Sequence, residues 1–368
     1  MRQRSSHRPG FAAVIGGLLL LLPLTLAADA VGVRPAAKAG SWYPAQPAML
    51  QTLIDRLLAQ AAAEPLPADA AIRALIVPHA AYAYSGATAA AAYRRLQGRS
   101  YRRVILLGPA HRALQERGLY ILEVDAYATP LGRVPLDRAA ITSLRQHPLV
   151  HQQPALHAQE HSLEIQLPFL QRVLEPGWQL LPILVGDMQQ EDYPQAVEAL
   201  QPLLDEQTLL VISTDFTHYG AAFRYLPFPA DGRIAQRIRE LDMGAFEYIS
   251  ARDPEGFLAY RRNTGITVCG YRPVALLLHL LPSDARVKLL QYTSSGGQSG
   301  DYRHSVSYIA ALVTQAVQEK DPGVNSSDDL SEQQLQYLHA LAQLTLRARV
   351  REDAAAEQAL QALSLIHI

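Results

Sequence analysis

The chain has 368 residues, 49% of them hydrophobic and 18% charged, a balance that excludes a disordered chain and supplies ample material for a core. Thirty-three basic residues against 34 acidic ones leave a net charge of −1 with no basic stripe, so no electrostatic footprint favours nucleic acid as a partner. The single cysteine, Cys269, excludes an intramolecular disulfide and leaves a thiol that is free, ligated, reactive or simply a buried small hydrophobe.

At the N-terminus, Arg2, Arg4 and Arg8 precede an apolar run from Phe11 to Ala27, and A-D-A follows at 28–30. These are the regions of a secretory signal, so residues 1–30 are expected to direct export to the periplasm or, if uncleaved, to anchor the chain in the inner membrane. From 31 to 318 helical and strand-like patterns alternate. A helix is expected at 48–63, a strand at 71–77, a helix at 86–96 and a strand at 103–107. Further helices follow at 163–174, 193–203, 232–243 and 273–281, and a last strand pair at 287–293 and 305–313. The continuous apolar runs R-V-I-L-L-G, L-L-P-I-L-V-G and T-L-L-V-I-S fit strands covered on both faces. The pattern predicts an α/β fold: a single three-layer domain around a central mixed, mostly parallel sheet. Between the last two strands, S-S-G-G-Q-S-G-D reads either as a loop at the rim of a site or as a plain surface hairpin. Residues 319–330 have the composition of a linker, and 331–368 carry helical periodicity with Ser331 and Gln334 as a capping box. This tail reads as the opening helix of a further domain, cut short or shifted in frame before S-L-I-H-I; the alternative is a C-terminal helix docked on the main domain.

The chemistry concentrates at the ends of the apolar runs. A-L-I-V-P-H-A-A-Y stops at His79, V-I-L-L-G-P-A-H at His111 and G-I-T-V-C-G at Cys269, while L-L-V-I-S-T-D-F-T-H adds Asp215 and His218. Ligands bind beyond the carboxyl ends of parallel strands, so these side chains are expected to converge on one cleft. A single histidine after a strand is more often a loop residue bonded to backbone; together they point to a metal-centred or histidine-rich site. Two imidazoles and a thiolate suit iron, copper or zinc rather than magnesium or calcium. Spacings of this length specify less than a compact C-x-x-C motif.

In H-A-Q-E-H-S-L-E, the i, i+4, i+7 spacing would set His157, His161 and Glu164 on one helix face, and Glu160 with His161 would supply a general base; a solvated first helical turn is the other reading. Asp215 is expected to orient His218, to bind metal or to cap the next helix, with Thr214 and Thr217 adding hydrogen bonds. Trp42, Tyr43, Tyr82 and Tyr84 are candidates for the wall of the cleft, with core packing as the alternative.

Seven motifs then fall in order: A-G-S-W-Y at 39–43, P-H-A-x-Y-x-Y-S-G at 78–86, L-G-P-x-H at 107–111, E-H-S-x-E at 160–164, S-x-D-F-x-H-Y-G at 213–220, C-G-Y-R-P at 269–273 and H-S-V-S-Y at 304–308. Together they resemble the Memo family, in bacteria called AmmeMemoRadiSam system protein B, over roughly residues 33–316. The resemblance implies a fold similar to class III extradiol dioxygenases, metal ligands at His79, His111 and Cys269, and Asp215 and His218 lining the same cleft. Extradiol enzymes hold iron(II) with two histidines and a carboxylate; Cys269 in the third place implies iron(II) or copper in a redox or oxygen-using role rather than orthodox ring cleavage. A non-enzymatic module holding a peptide or small-molecule ligand is the competing expectation, since metazoan relatives are associated with phosphopeptide binding. The family's name suggests a radical-SAM partner, and the tail resembles the start of an AMMECR1-type domain. Two departures stand out: Ala81 occupies a position usually held by glycine, which is expected to restrict the backbone beside His79, and the signal-like N-terminus is unlike family members thought of as cytoplasmic.

Overall fold

The structure, a computed structural model, describes residues 32–62, 70–112, 116–229 and 231–316. The signal or anchor at 1–30, the linker at 319–330 and the tail at 331–368 lie outside these residues. Among the described residues no helix is long and apolar enough to cross a membrane.

Twelve strands are described: β1 (Val33–Arg34), β2 (Ala70–Val77), β3 (Arg103–Pro109), β4 (Leu119–Ile121), β5 (Ala126–Thr129), β6 (Gly132–Pro135), β7 (Val150–Gln152), β8 (Gln179–Val185), β9 (Thr208–Ser213), β10 (His218–Gly220), β11 (Arg286–Ser294) and β12 (His304–Ala316). The main sheet runs β10-β12-β2-β9-β3-β8-β4-β7, with β11 also on β12. Its centre, β2-β9-β3-β8, is parallel, and β12 and β4 join it antiparallel on the two sides. This is the expected mixed sheet. Ala74 to Val77 and Val104 to Leu107 are wholly buried, which is why these strands are apolar without alternation. A small sheet, β1-β5-β6, stands apart.

Helices cover the sheet. Pro47–Gln60 buries Leu50, Ile54, Leu57 and Leu58 at helical spacing, with proline pre-set for the first turn. It packs on Tyr82–Tyr93, whose alanine-rich length lets it lie close against β2, β11 and β12. Tyr271–Leu280 packs on β3 and β9, and Asp192–Leu200 and Pro254–Thr264 pack on it.

Three expectations are corrected. Residues 265–269 form no strand; Cys269 lies in a turn between the helices Pro254–Thr264 and Tyr271–Leu280. The element expected at 163–174 begins as a 3-10 turn, Glu164–Gln166, and becomes α-helical only over Leu167–Val173, where Pro168 is tolerated in the first turn. The helix expected at 232–243 runs on to Ala251, and Pro254–Thr264 follows it, started by Asp253, whose carboxylate accepts the Gly256 N–H at 2.8 Å.

Candidate functional site

Because β2, β9 and β3 are parallel neighbours, their carboxyl ends lie side by side. His79 is two residues past β2, Asp215 two past β9 and His111 two past β3. The Thr214 N–H donates to the Val77 carbonyl at 2.9 Å, tying two of these loops together, and the His79 N–H donates to Asp215 Oδ1 at 2.8 Å.

His161 arrives from a fourth segment. The short helix Pro154–Ala158 ends before it, and Glu160 in the following turn accepts the N–H groups of His111, His161 and Ser162 at 2.8 to 3.0 Å. The segment can approach only because residue 108 is glycine: a Cβ there would lie 2.6 Å from Ser162 Oγ and 2.9 Å from Leu163 Cδ2. The rings of His111 and His161 stack with centroids 4.5 Å apart, and His79 meets each edge-on at 5.1 Å.

The hydrogen-bond network sets which ring nitrogens face inward. Ser213 Oγ spends its proton on the Ser162 carbonyl at 2.6 Å, so it accepts from His79 Nδ1–H at 3.0 Å and from Gln166 Nε2 at 3.0 Å. His111 Nδ1 donates to Glu160 Oε1 at 2.9 Å. The Nε2 lone pairs of these two rings are thereby left for something else. Burial, and after it the positive fields of the other imidazoles, hold His79 well below the ordinary histidine range. Burial likewise takes His161 down to about 4, against the pull of Glu160. Burial opposes the charge on Glu160, but hydrogen bonding and charge from His111 prevail and bring it to about 2. The outcome at His79 and His161 is a neutral imidazole, beside an ionised Glu160 carboxylate, the protonation states metal binding requires.

Among the described residues His79, His111 and His161 have ligand atoms all within 4.8 Å of one another, and the three can hold a metal ion. Their donor chemistry fits a borderline transition metal, with Glu160 and Ser213 orienting the rings from behind.

A family model described as Memo-like protein matches residues 34–312. Protein MEMO1 of Xenopus laevis is 32% identical over 292 residues, covering 76% of this chain and 97% of that relative; human Protein MEMO1 is 30% identical over 293 residues with the same coverage. The chain belongs to the Memo family. A memo-1 homolog of Caenorhabditis elegans, 31% identical over 296 residues, is covered over 82% of its length. The crystal structure of an uncharacterized protein from Escherichia coli K12 covers 67% of this chain and 99% of its own at 14% identity and a TM-score of 0.39; the family assignment does not rest on it.

In this Memo family member the remaining sequence candidates fall as follows. Cys269 is partly exposed as a residue, but its sulfur is enclosed: His79 Nε2 lies at 3.1 Å, the Asp215 N–H donates to it at 3.2 Å and Thr214 Oγ1 lies at 3.9 Å. Burial and then the Asp215 carboxylate push the thiol up, so it is protonated and donates to the Asp215 carbonyl at 3.5 Å. Gly270 permits this approach, since a Cβ would meet Thr214 Cβ at 2.5 Å. Thus the mutually close donors are three imidazoles, including the His161 read above as an acid–base group, while Cys269 touches the group through His79.

His218 lines the cleft but is not oriented by Asp215. Its N–H donates to Thr267 Oγ1 at 2.8 Å and its Nδ1 to the Thr267 carbonyl at 3.0 Å, while Asp215 faces His79. Burial raises the Asp215 carboxyl, with the His218 charge opposing. The shared helix face of His157, His161 and Glu164 does not form, because residues 159–163 are a turn between the helix Pro154–Ala158 and the 3-10 turn Glu164–Gln166. His157 turns away to Tyr127 and the Tyr120 carbonyl. Glu164, wholly buried, pairs with Arg34 and accepts from the Ala37 and Lys38 N–H groups at 2.8 and 2.7 Å and from Tyr43 OH at 2.6 Å. It thereby fixes the segment that carries Trp42, whose ring lies 4.4 Å from that of His161.

Of the four aromatic candidates, Trp42 and Tyr84 line the cleft. Tyr43 and Tyr82 are buried beneath it, their hydroxyls spent on Glu164 and on the Ile165 carbonyl. Ala81 has φ −55° and ψ 146°, open to any residue, so it brings no strain beside His79. The cleft, about 830 Å³, is completed by Phe223, Ser295, Ser299, Asp301 and His304. The S-S-G-G-Q-S-G-D segment is therefore a rim, folded as the short helix Ser295–Ser299. The rim function of His304 and Phe223 went unread, although H-S-V-S-Y flags the first.

Proposed function

We propose that this Memo family protein binds iron(II) or copper at His79, His111 and His161, with Cys269 as the adjacent soft donor, and uses it in redox or oxygen-dependent chemistry on a ligand held in the cleft. The observation that carries the reading is the triangle of three imidazoles with an acceptor behind the Nδ1 of His79 and of His111. Bound there, such a metal supplies electron transfer and open positions for oxygen or a substrate oxygen. The chain's own groups then have definable tasks. Glu160 and Ser213 keep the imidazole protons on Nδ1, and Trp42 with Tyr84 walls the ligand. His218, held by Thr267 at the same cleft, is placed to give or take a proton at Nε2.

The rim favours a second reading. Tyr84 and Phe223 are 54% and 38% exposed at the mouth, the kind of aromatic surface that holds a peptide or small-molecule ligand without turnover. Oxygen consumption with catechols separates the two. The enzymatic reading expects uptake that depends on added metal and is abolished by His79→Ala; ligand retention without uptake sinks it and leaves the binding module.

The compartment belongs to the same proposal: Arg2, Arg4 and Arg8 followed by an apolar run support an exported or inner-membrane-anchored protein. An AMMECR1-like or radical-SAM partner rests on the family's bacterial name and on the composition of the tail.

A further inference from the structure

A second cavity, about 390 Å³, lies among the helices Asp192–Leu200, Pro254–Thr264 and Tyr271–Leu280 and shares no lining residue with the cleft. Its wall includes Tyr193, Arg261, Arg262, Tyr271 and Asp187. The Arg261 guanidinium sits 3.6 Å from the centroid of the Tyr271 ring and that of Arg272 4.7 Å from it. Arg272 is paired with Asp187, whereas Arg261 and Arg262 make no side-chain hydrogen bond or ion pair among the described residues.

Four buried side-chain polar atoms lack a partner among the described residues; two, Tyr193 OH and Arg261 Nε, belong to residues of this wall, and a third, Arg272 Nε, belongs to the arginine beside Tyr271. Tyr193 is only 2% exposed. Buried donors without an acceptor are costly and rare, and native structures place them where water, an ion or a ligand supplies the missing oxygen. Burial pushes the Tyr193 phenol up, so it remains a donor, and it lies in the fields of both Arg272 and Arg261. Against the two unpaired guanidiniums the wall sets one unpaired carboxylate, the exposed Glu255. The cavity therefore has an excess of donors and of positive charge.

We propose that this cavity binds a small anion bearing a carboxylate or phosphoryl group, whose oxygens accept from Arg261, Arg262 and Tyr193. Arg is suited to planar two-point recognition of such oxyanions, and here Tyr271 holds the Arg261 guanidinium in place by stacking.

The test is calorimetric titration of the full chain with inorganic phosphate and, separately, with acetate, at constant ionic strength. The arm that saturates at one site names the class. Arg261→Gln is expected to weaken that binding at least ~10-fold, as loss of a charged hydrogen-bond partner does, and Tyr193→Phe by about 3-fold, as loss of a neutral one does. His161→Ala should leave it unchanged. If Arg261→Gln fails to fold, Tyr193→Phe, which removes a single oxygen, carries the comparison. Saturation by neither anion means the donors are met by water alone and overturns the proposal. Titrations that are identical in both variants, or that are lost in His161→Ala, place the anion elsewhere and overturn it equally.

Discussion

The cleft and the helical cavity are built from the same kinds of polar side chain pointed in opposite senses. In the cleft, Ser213 and Glu160 stand behind the imidazoles and take their Nδ1 protons, so lone pairs face the space between the rings. In the cavity wall, Tyr193 and Arg261 keep buried donor atoms that nothing among the described residues accepts. The first arrangement suits a cation and the second an anion. The difference teaches that the direction of the hydrogen bonds behind a site identifies its guest more surely than its size or its aromatic lining does.

That contrast can be broken from the cleft side. The largest effect is expected from Glu164→Ala, which leaves Arg34, 4% exposed, without its carboxylate and frees the Trp42 segment. A loss of about 3–5 kcal/mol is expected for half of a buried ion pair, read by urea unfolding, with anion binding in the helical cavity intact. A loss below ~1 kcal/mol would mean that the Arg34 pair is not the anchor described.

Acid should act on the histidine side first. His157 is held down to about 4 by burial, while an unfolded imidazole titrates near ~6.5, so the unfolded chain takes up the proton first as pH falls. The stability His157 contributes is complete above ~6.5 and is lost as pH drops through about 4, a change on the order of 3 kcal/mol. His157→Gln, which can still accept from Tyr127 and donate to the Tyr120 carbonyl, should flatten that limb of the stability profile; an unchanged profile would show that His157 is not the group titrating.

Glu160→Gln is the sharper and smaller change. It keeps the shape but removes the charge that accepts from His111, and metal affinity should fall about 10- to 100-fold. Equal affinity in the two proteins, measured by chelator competition, would show that the carboxylate only closes the turn.

The strands that carry the site were legible in the sequence because they are buried on both faces: Ala74–Val77 and Val104–Leu107 are runs that nothing but a covered sheet accommodates. Their ends therefore announced His79, His111 and Asp215. Thr-Val-Cys looks no different from such a strand end, yet Cys269 is placed by Gly270 against Thr214, a contact that appears only in the folded chain. Glu164 was misplaced on a shared helix face because its partners, Arg34 and Tyr43, lie more than 120 residues earlier. Tyr43 and Tyr82 were read toward the cleft, and composition could not tell their buried hydroxyls from the exposed one of Tyr84. The arginine cavity drew no reading at all, since Tyr193, Arg261 and Tyr271 come from three separate helices and form no motif.

The most direct measurement is metal content of the full chain, purified without a metal-binding tag, beside His111→Ala, His161→Ala and Cys269→Ala. The account predicts near-stoichiometric iron or copper in the parent and its loss in both histidine variants, with Cys269→Ala reporting whether the thiol adjacent to His79 is a ligand. A parent that stays metal-free after anaerobic reconstitution with iron(II) and with copper would contradict it.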